Sequence, residues 1–225
     1  MLTNTITFKV PSGDLSGYYA RPEDKGRRAA IIVIHELLGL NDNILETARR
    51  FANQGYACLA VDLFHNRNVA ICLARFFSGM LLNSLNHGAI RDLKASLTYL
   101  AGLPGVNADR LGAIGFCMGG SFAIAWACTD ERLKVIAPYY STNPRPIDAV
   151  ARACPVVGSF PEKDYISRGA EKLREALDRH NVPNDIKLYP GSKHSFFNKD
   201  RGVYNAAAAE DSWQRTIEFF RTYLS

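Results

Sequence analysis

The chain has 225 residues, 47% hydrophobic and 22% charged, a balance ordinary for a soluble α/β protein with a single domain over residues 1–225. The net charge of +5 is mild, and 27 Lys and Arg are scattered among 22 Asp and Glu with no basic arm, which argues against nucleic acid as a partner. No apolar run nears the roughly 20 residues needed to cross a bilayer, and the first ten residues lack a signal-peptide pattern, so a cytoplasmic protein with no membrane partner is expected.

Residues 3–10, TNTITFKV, alternate polar and apolar as an edge strand does, and PSGD turns the chain into LSGYYARP, its expected hairpin partner. AAIIVIH is a continuous β-branched run, the pattern of a strand buried on both faces. A helix follows, with Asn43 as expected cap, Glu46 three positions on, Ile44, Ala48 and Phe51 on its inner face, and Gly55 beyond its end. YACLAVDLF is another buried strand, and residues 65–88 read as an excursion over the sheet that covers the site. AIRDLKASLTYLAGLPG is a helix, LGAIGF a strand and MGGSFAIAWAC a helix. LKVIAPYY, PVVGSF and DIKLYPG read as strands, with SRGAEKLREALDRH a helix before the last of them. The final helix carries Trp213, Ile217, Phe220 and Leu224 on one stripe. This alternation predicts an α/β fold: a mostly parallel sheet with helices on both faces and an N-terminal hairpin. Sites in such sheets form beyond the carboxyl ends of the strands.

At one such end stands Gly115-Phe116-Cys117-Met118-Gly119, the cysteine form of the G-x-S-x-G nucleophile elbow. A sharp strand-to-helix turn strains its middle residue, and side chains two positions away would collide, hence the glycines. The Met118 amide and the helix N-terminus would then face a developing oxyanion, and their positive potential favours a thiolate. The other thiols read as structural, except Cys72, which the sequence does not place. Cys58 lies in a buried strand, Cys154 precedes Pro155, and Cys128 is about three helical turns past Cys117, too far for a disulfide. Five cysteines with no C-x-x-C pair and no zinc-like spacing fit free thiols, with no metal and no cofactor expected.

An attacking cysteine benefits from a base, and the base from an orienting acid. In α/β-hydrolases these follow the nucleophile as acid, then histidine. Asp164 stands just past one later strand and His194 just past the next, in that order and at that end of the sheet. His35-Glu36-Leu37-Leu38-Gly39 closes the first buried strand, where a loop amide, here that of Leu37, usually supplies the second oxyanion donor. Glu36 among leucines is costly unless partnered.

HELLGLND at 35–42, VDLF at 61–64, GFCMGG at 115–120, the segment around Asp164 and KHSF at 193–196 together resemble the dienelactone hydrolase, or carboxymethylenebutenolidase-like, family over nearly the whole chain. The resemblance implies the α/β-hydrolase fold, a Cys117–Asp164–His194 triad, and a Glu36 that contacts the resting thiol and accepts its proton when substrate binds. It also implies two arginines that hold a substrate carboxylate. Arg75 falls near one of those places, but the other, four residues after the histidine, is Asn198, with Arg201 or Lys199 as substitutes. Tyr140 is similar to a substrate-side tyrosine of the family and equally reads as a strand-end core tyrosine. The expectation is a cysteine hydrolase of activated, anionic small-molecule esters or enol lactones acting through a thioester. Acyl transfer from the same thioester and a non-catalytic binding or redox-sensing protein are the alternatives.

Overall fold

The computed structural model describes residues 1–24, 26–64, 84–165 and 168–225. Arg75, Cys72 and all of the expected excursion up to residue 83 lie outside the described residues. Among these residues eight strands form one sheet: β1 (Leu2–Val10), β2 (Gly13–Arg21), β3 (Arg28–Ile34), β4 (Ala57–Val61), β5 (Val106–Phe116), β6 (Leu133–Tyr139), β7 (Val156–Pro161) and β8 (Asn184–Tyr189). Their order across the sheet is β1-β2-β4-β3-β5-β6-β7-β8. The β1–β2 hairpin joins β4 antiparallel, and every other pair is parallel.

Among the described residues five α-helices cover the sheet: α1 (Asp42–Asn53), α2 (Gly88–Ala101), α3 (Met118–Ala127), α4 (Ala170–Arg179) and α5 (Ala206–Leu224). Side chains alternate across a strand, and β3 divides accordingly. Ala30, Ile32 and Ile34 enter the core beneath α2, α3 and α4, whereas Ile31 and Val33 enter the core beneath α1 and α5. Both faces of β3 are therefore buried, which is why its sequence is an unbroken β-branched run. On the α5 side the stripe Trp213, Ile217, Phe220 and Leu224 is buried as its spacing predicts. Phe51 of α1 meets Trp213 with ring centroids 4.6 Å apart and Phe220 at 5.7 Å. Burying a ring of this size stabilises the fold by about 1.5–3 kcal/mol.

Several boundaries differ from expectation: the helix read to residue 105 ends at Ala101 and the strand read to residue 64 ends at Val61. The cap of α1 is Asn41, whose side chain accepts the Ile44 N–H at 3.1 Å. Asn43 is a buried residue of the helix itself, and Glu46 pairs with Arg49 instead of closing a capping box. Strand β5 begins at Val106, five residues before LGAIGF, because the exposed Ala108–Arg110 stretch carries no apolar pattern.

The parallel strands diverge at β3: the chain passes to β4 on one side and to β5 on the other. In sheets of this kind ligands bind where the order reverses, outside the strand ends. The loop after β3 carries His35 and Glu36, and the end of β5 carries Cys117.

Candidate active site

Cys117 follows the last residue of β5 and caps α3 with φ 53° and ψ −113°. A non-glycine residue held there costs of order 1–3 kcal/mol, so its surroundings must impose the geometry. They do so through backbone bonds: the Cys117 N–H donates to Tyr139 O at 3.0 Å, and Ser121 donates to Cys117 O through N–H at 3.1 Å and Oγ at 3.2 Å. A Cβ on Gly115 would overlap the Gly119 carbonyl, and one on Gly119 would overlap the carbonyls of Ile34 and His35. The elbow thus packs directly against the end of β3. Cys117 keeps partial exposure, whereas burial pushes the Cys58 thiol well up and those of Cys128 and Cys154 to about 12. Those three are poor nucleophiles at neutral pH.

The loop after β7 supplies Asp164 and the loop after the adjacent β8 supplies His194. His194 Nδ1–H donates to Asp164 Oδ2 at 2.6 Å, which fixes the ring and leaves Nε2 as the free nitrogen. Nε2 is buried and makes no hydrogen bond of ordinary geometry, yet Cys117 is near enough to bias the ring's charge. Burial disfavours the imidazolium, but the Asp164 hydrogen bond, together with Cys117 as hydrogen-bond partner and negative charge, outweighs it and pushes the His194 pKa up to about 9.

Glu36 is 4% exposed. Its oxygens accept Ser195 Oγ–H at 2.9 Å and Asn198 Nδ2–H at 2.6 Å, so the expected partnering comes from the His194 loop, with no hydrogen bond to the thiol. Ser195 sits at φ 67°, which turns its hydroxyl back to this carboxylate. On the same loop as Glu36, the Gly39 N–H closes a turn onto Glu36 O at 3.2 Å, and the Leu37 N–H has no acceptor among the described residues. The first amides of a helix have no intrahelical acceptor, which leaves the Met118 N–H available beside Cys117.

Tyr140 is fully buried at φ 38°, its hydroxyl has no partner among the described residues, and its ring stands edge-on to His194 at 5.0 Å. Burial raises its pKa well above 10, and negative charge on Glu36 and Cys117 adds to this, while Arg201 opposes it. Cys117, Glu36, His194 and Tyr140 therefore share one locus, with Arg201 within electrostatic reach. Asn198 is wholly buried against Glu36. Lys199 instead lines a separate polar cavity of about 220 Å³ with Asn43, Arg50 and Phe197, between α1 and the start of α5.

Ser195, Asn198 and His35 take part in this arrangement without having been read from sequence as working residues. The adjacency of Ser195 to His194 and the β3-end position of His35 were the available signals. Among the described residues no cluster of three or more His, Cys, Asp or Glu side chains could hold a metal ion, and no helix is long and apolar enough to cross a membrane.

Residues 15–224 match the sequence model of the dienelactone hydrolase family. A relative from Saccharolobus solfataricus, whose name places it among the carboxymethylenebutenolidases, is 30% identical over 256 residues, covering 96% of this chain and 97% of its own. One from Synechocystis, named likewise, is 28% identical and covers 99% and 97%. Among solved structures, a dienelactone hydrolase-like promiscuous phosphotriesterase from metagenomic libraries superposes with a TM-score of 0.89 at 25% identity, over 100% of this chain and 99% of that one. An acylaminoacyl peptidase from Pyrococcus horikoshii has a TM-score of 0.80 at 15% identity, covering 99% of this chain and 42% of that one, a likeness of fold alone.

Proposed function

The chain belongs to the dienelactone hydrolase family of carboxymethylenebutenolidase-like α/β-hydrolases, and on that premise we propose that it hydrolyses activated small-molecule esters or enol lactones through a thioester on Cys117. The observation that carries this reading is the His194 ring: Nδ1 is tied to Asp164 at 2.6 Å while the buried Nε2 is left without a partner close to a strained, partly exposed cysteine.

In the resting pair the Cys117 thiol has passed its proton to His194 Nε2, and the thiolate Sγ bonds to the substrate carbonyl carbon as the carbonyl π bond breaks. The carbonyl oxygen becomes an oxyanion held by the N–H groups of Leu37 and Met118. As the tetrahedral centre collapses, the bond to the leaving oxygen breaks and His194 returns the proton to it. A water then attacks the thioester, losing a proton to His194, and the acid departs as the thiol is restored. Asp164 keeps the ring in the required orientation throughout.

The substrate class follows from leaving-group chemistry. A thiolate is a better leaving group than an ordinary alkoxide, so the tetrahedral intermediate of a plain ester reverts. An enol ester or enol lactone releases a stabilised enolate and goes forward. Tyr140 is fully buried and backs the His194 ring at 5.0 Å, and Arg201 supplies positive potential toward an anionic substrate. At Asn198 a neutral amide engaged with Glu36 leaves no cation for a substrate carboxylate.

The test is intact-protein mass spectrometry during turnover of p-nitrophenyl acetate. Wild-type protein is expected to gain one acetyl group, and Cys117→Ala to gain none and to lose turnover by about 10⁴-fold or more. Turnover that persists in the alanine variant would exclude the mechanism. Product that shifts wholly to an added amine would assign acyl transfer.

A further inference from the structure

His35 stands at the carboxyl end of β3, wholly buried, and the mechanism above gives it no chemical role. Its two ring nitrogens are nevertheless both engaged. The Leu63 N–H donates to Nε2 at 3.0 Å, and Nδ1 lies 2.6 Å from Glu36 O. A backbone N–H can only donate, so Nε2 is the acceptor nitrogen and the ring proton resides on Nδ1, where it donates to the carbonyl. Burial keeps the ring neutral, against the pull of the Glu36 carbonyl and of Asp62, whose Oδ1 is 3.8 Å from Nε2. The tautomer is thus dictated by two backbone groups contributed by the loops after β3 and after β4.

The carbonyl that His35 holds belongs to the peptide unit whose other end is the Leu37 N–H. A trans peptide is planar, and its C=O and N–H point in opposite directions. Whatever fixes the Glu36 carbonyl therefore fixes the aim of the Leu37 amide. Gly39 N–H also reaches this carbonyl, at 3.2 Å, but the imidazole bond is the shorter, and it comes from outside the turn. The loop is in turn seated on the elbow, because Gly119 abuts the carbonyls of Ile34 and His35.

We infer that His35 is a positioning residue for acylation: through Nδ1–H it orients the Glu36–Leu37 peptide so that the Leu37 N–H meets the oxyanion that forms on attack by Cys117. The inference rests on the proposed thioester chemistry. It differs from a purely structural role in what it leaves untouched. Alkylation of Cys117 by iodoacetamide displaces iodide and develops no oxyanion, so it needs the nucleophile and not the Leu37 amide.

Two conservative variants separate the ring nitrogens. In His35→Asn the carboxamide sits at the δ position and retains the donor to Glu36 O. In His35→Gln it sits one atom farther out, retains an acceptor for Leu63 N–H and loses the δ donor. The pre-steady-state burst of p-nitrophenolate reports acylation, and iodoacetamide reports thiol reactivity. For His35→Gln the burst rate is expected to fall about 10–100-fold, less than the roughly 10²–10³-fold for deleting an oxyanion donor because the Leu37 amide is misaimed and not removed, with alkylation within about 2-fold of wild type. His35→Asn is expected to acylate within about 3-fold of wild type. Equal effects of the two variants, or alkylation that falls in step with acylation, would overturn the inference while leaving the thioester reading intact. Turnover in wild type that survives Cys117→Ala would remove both. Should either variant fail to fold, ¹⁵N NMR of the wild-type His35 ring decides at pH 7: a proton on Nδ1 and a bare Nε2 are required, and a proton on Nε2 refutes the arrangement.

Discussion

Replacing Cys117 with alanine removes the sulfur's close approach to His194 and its negative charge, two of the four influences that favour the imidazolium, and leaves the Asp164 hydrogen bond and charge in place. In wild type the ring's pKa is raised from its usual 6.5 to about 9, a difference worth about 3 kcal/mol in favour of the charged form. Burial opposes that charge, so the loss of the sulfur is not offset elsewhere. His194 in Cys117→Ala should therefore titrate at least about one pH unit lower than in wild type, equivalent to at least about 1.4 kcal/mol. Imidazole proton and nitrogen chemical shifts followed from pH 5 to 10 measure this directly. In the proposed acyl-enzyme the sulfur would likewise carry no charge, so the same drop would deliver a neutral, basic His194 when water must be activated. The coupling has a signature in stability as well. A histidine whose folded pKa lies above its unfolded value adds stability that is full below about 6.5 and is lost as the pH rises through about 9. Urea unfolding should show wild type losing stability across that window, and Cys117→Ala losing less. A His194 titration unchanged by removal of the sulfur would refute the coupling between imidazole and thiol.

Asp164→Asn leaves His194 without its carboxylate acceptor and should lower kcat for p-nitrophenyl acetate by about 10²–10⁴-fold with little change in KM; activity within 3-fold of wild type would deny Asp164 its orienting role. Asn198→Ala strips one of two donors from the buried Glu36 carboxylate and should cost about 1.5–3 kcal/mol in chemical denaturation; an unaltered midpoint would show that the 2.6 Å contact contributes nothing net.

Much of the fold was written in local patterns. The unbroken apolar run before His35 requires a strand with two covered faces, and β3 has them. The stripe ending at Leu224 requires a helix seated on the sheet, and α5 is so seated. The glycines flanking Cys117 announced a turn too tight for side chains, and the positive φ at Cys117 is its outcome. The start of β5 was hidden because a solvent-facing stretch has no periodicity to read, and Asn41 was passed over as cap because Asn43 stands equally near the helix start.

By itself the amino-acid order determined which elements form, that each candidate group stands at a strand end, and that Cys117, Asp164 and His194 follow the order in which such groups are used. Only the tertiary structure decided which donors meet Glu36, since Ser195 and Asn198 approach it across 159 and 162 residues. It also decided that Lys199 lines a different cavity while Arg201 acts on Tyr140, and that His35 bridges two loops through a backbone amide 28 residues away. The physical reason is one of range. Periodicity and turn chemistry depend on neighbours within a few residues, whereas hydrogen-bond partners depend on how the sheet brings the loops after β3, β4 and β8 together. A contact of that kind leaves no spacing in the chain from which it could be read.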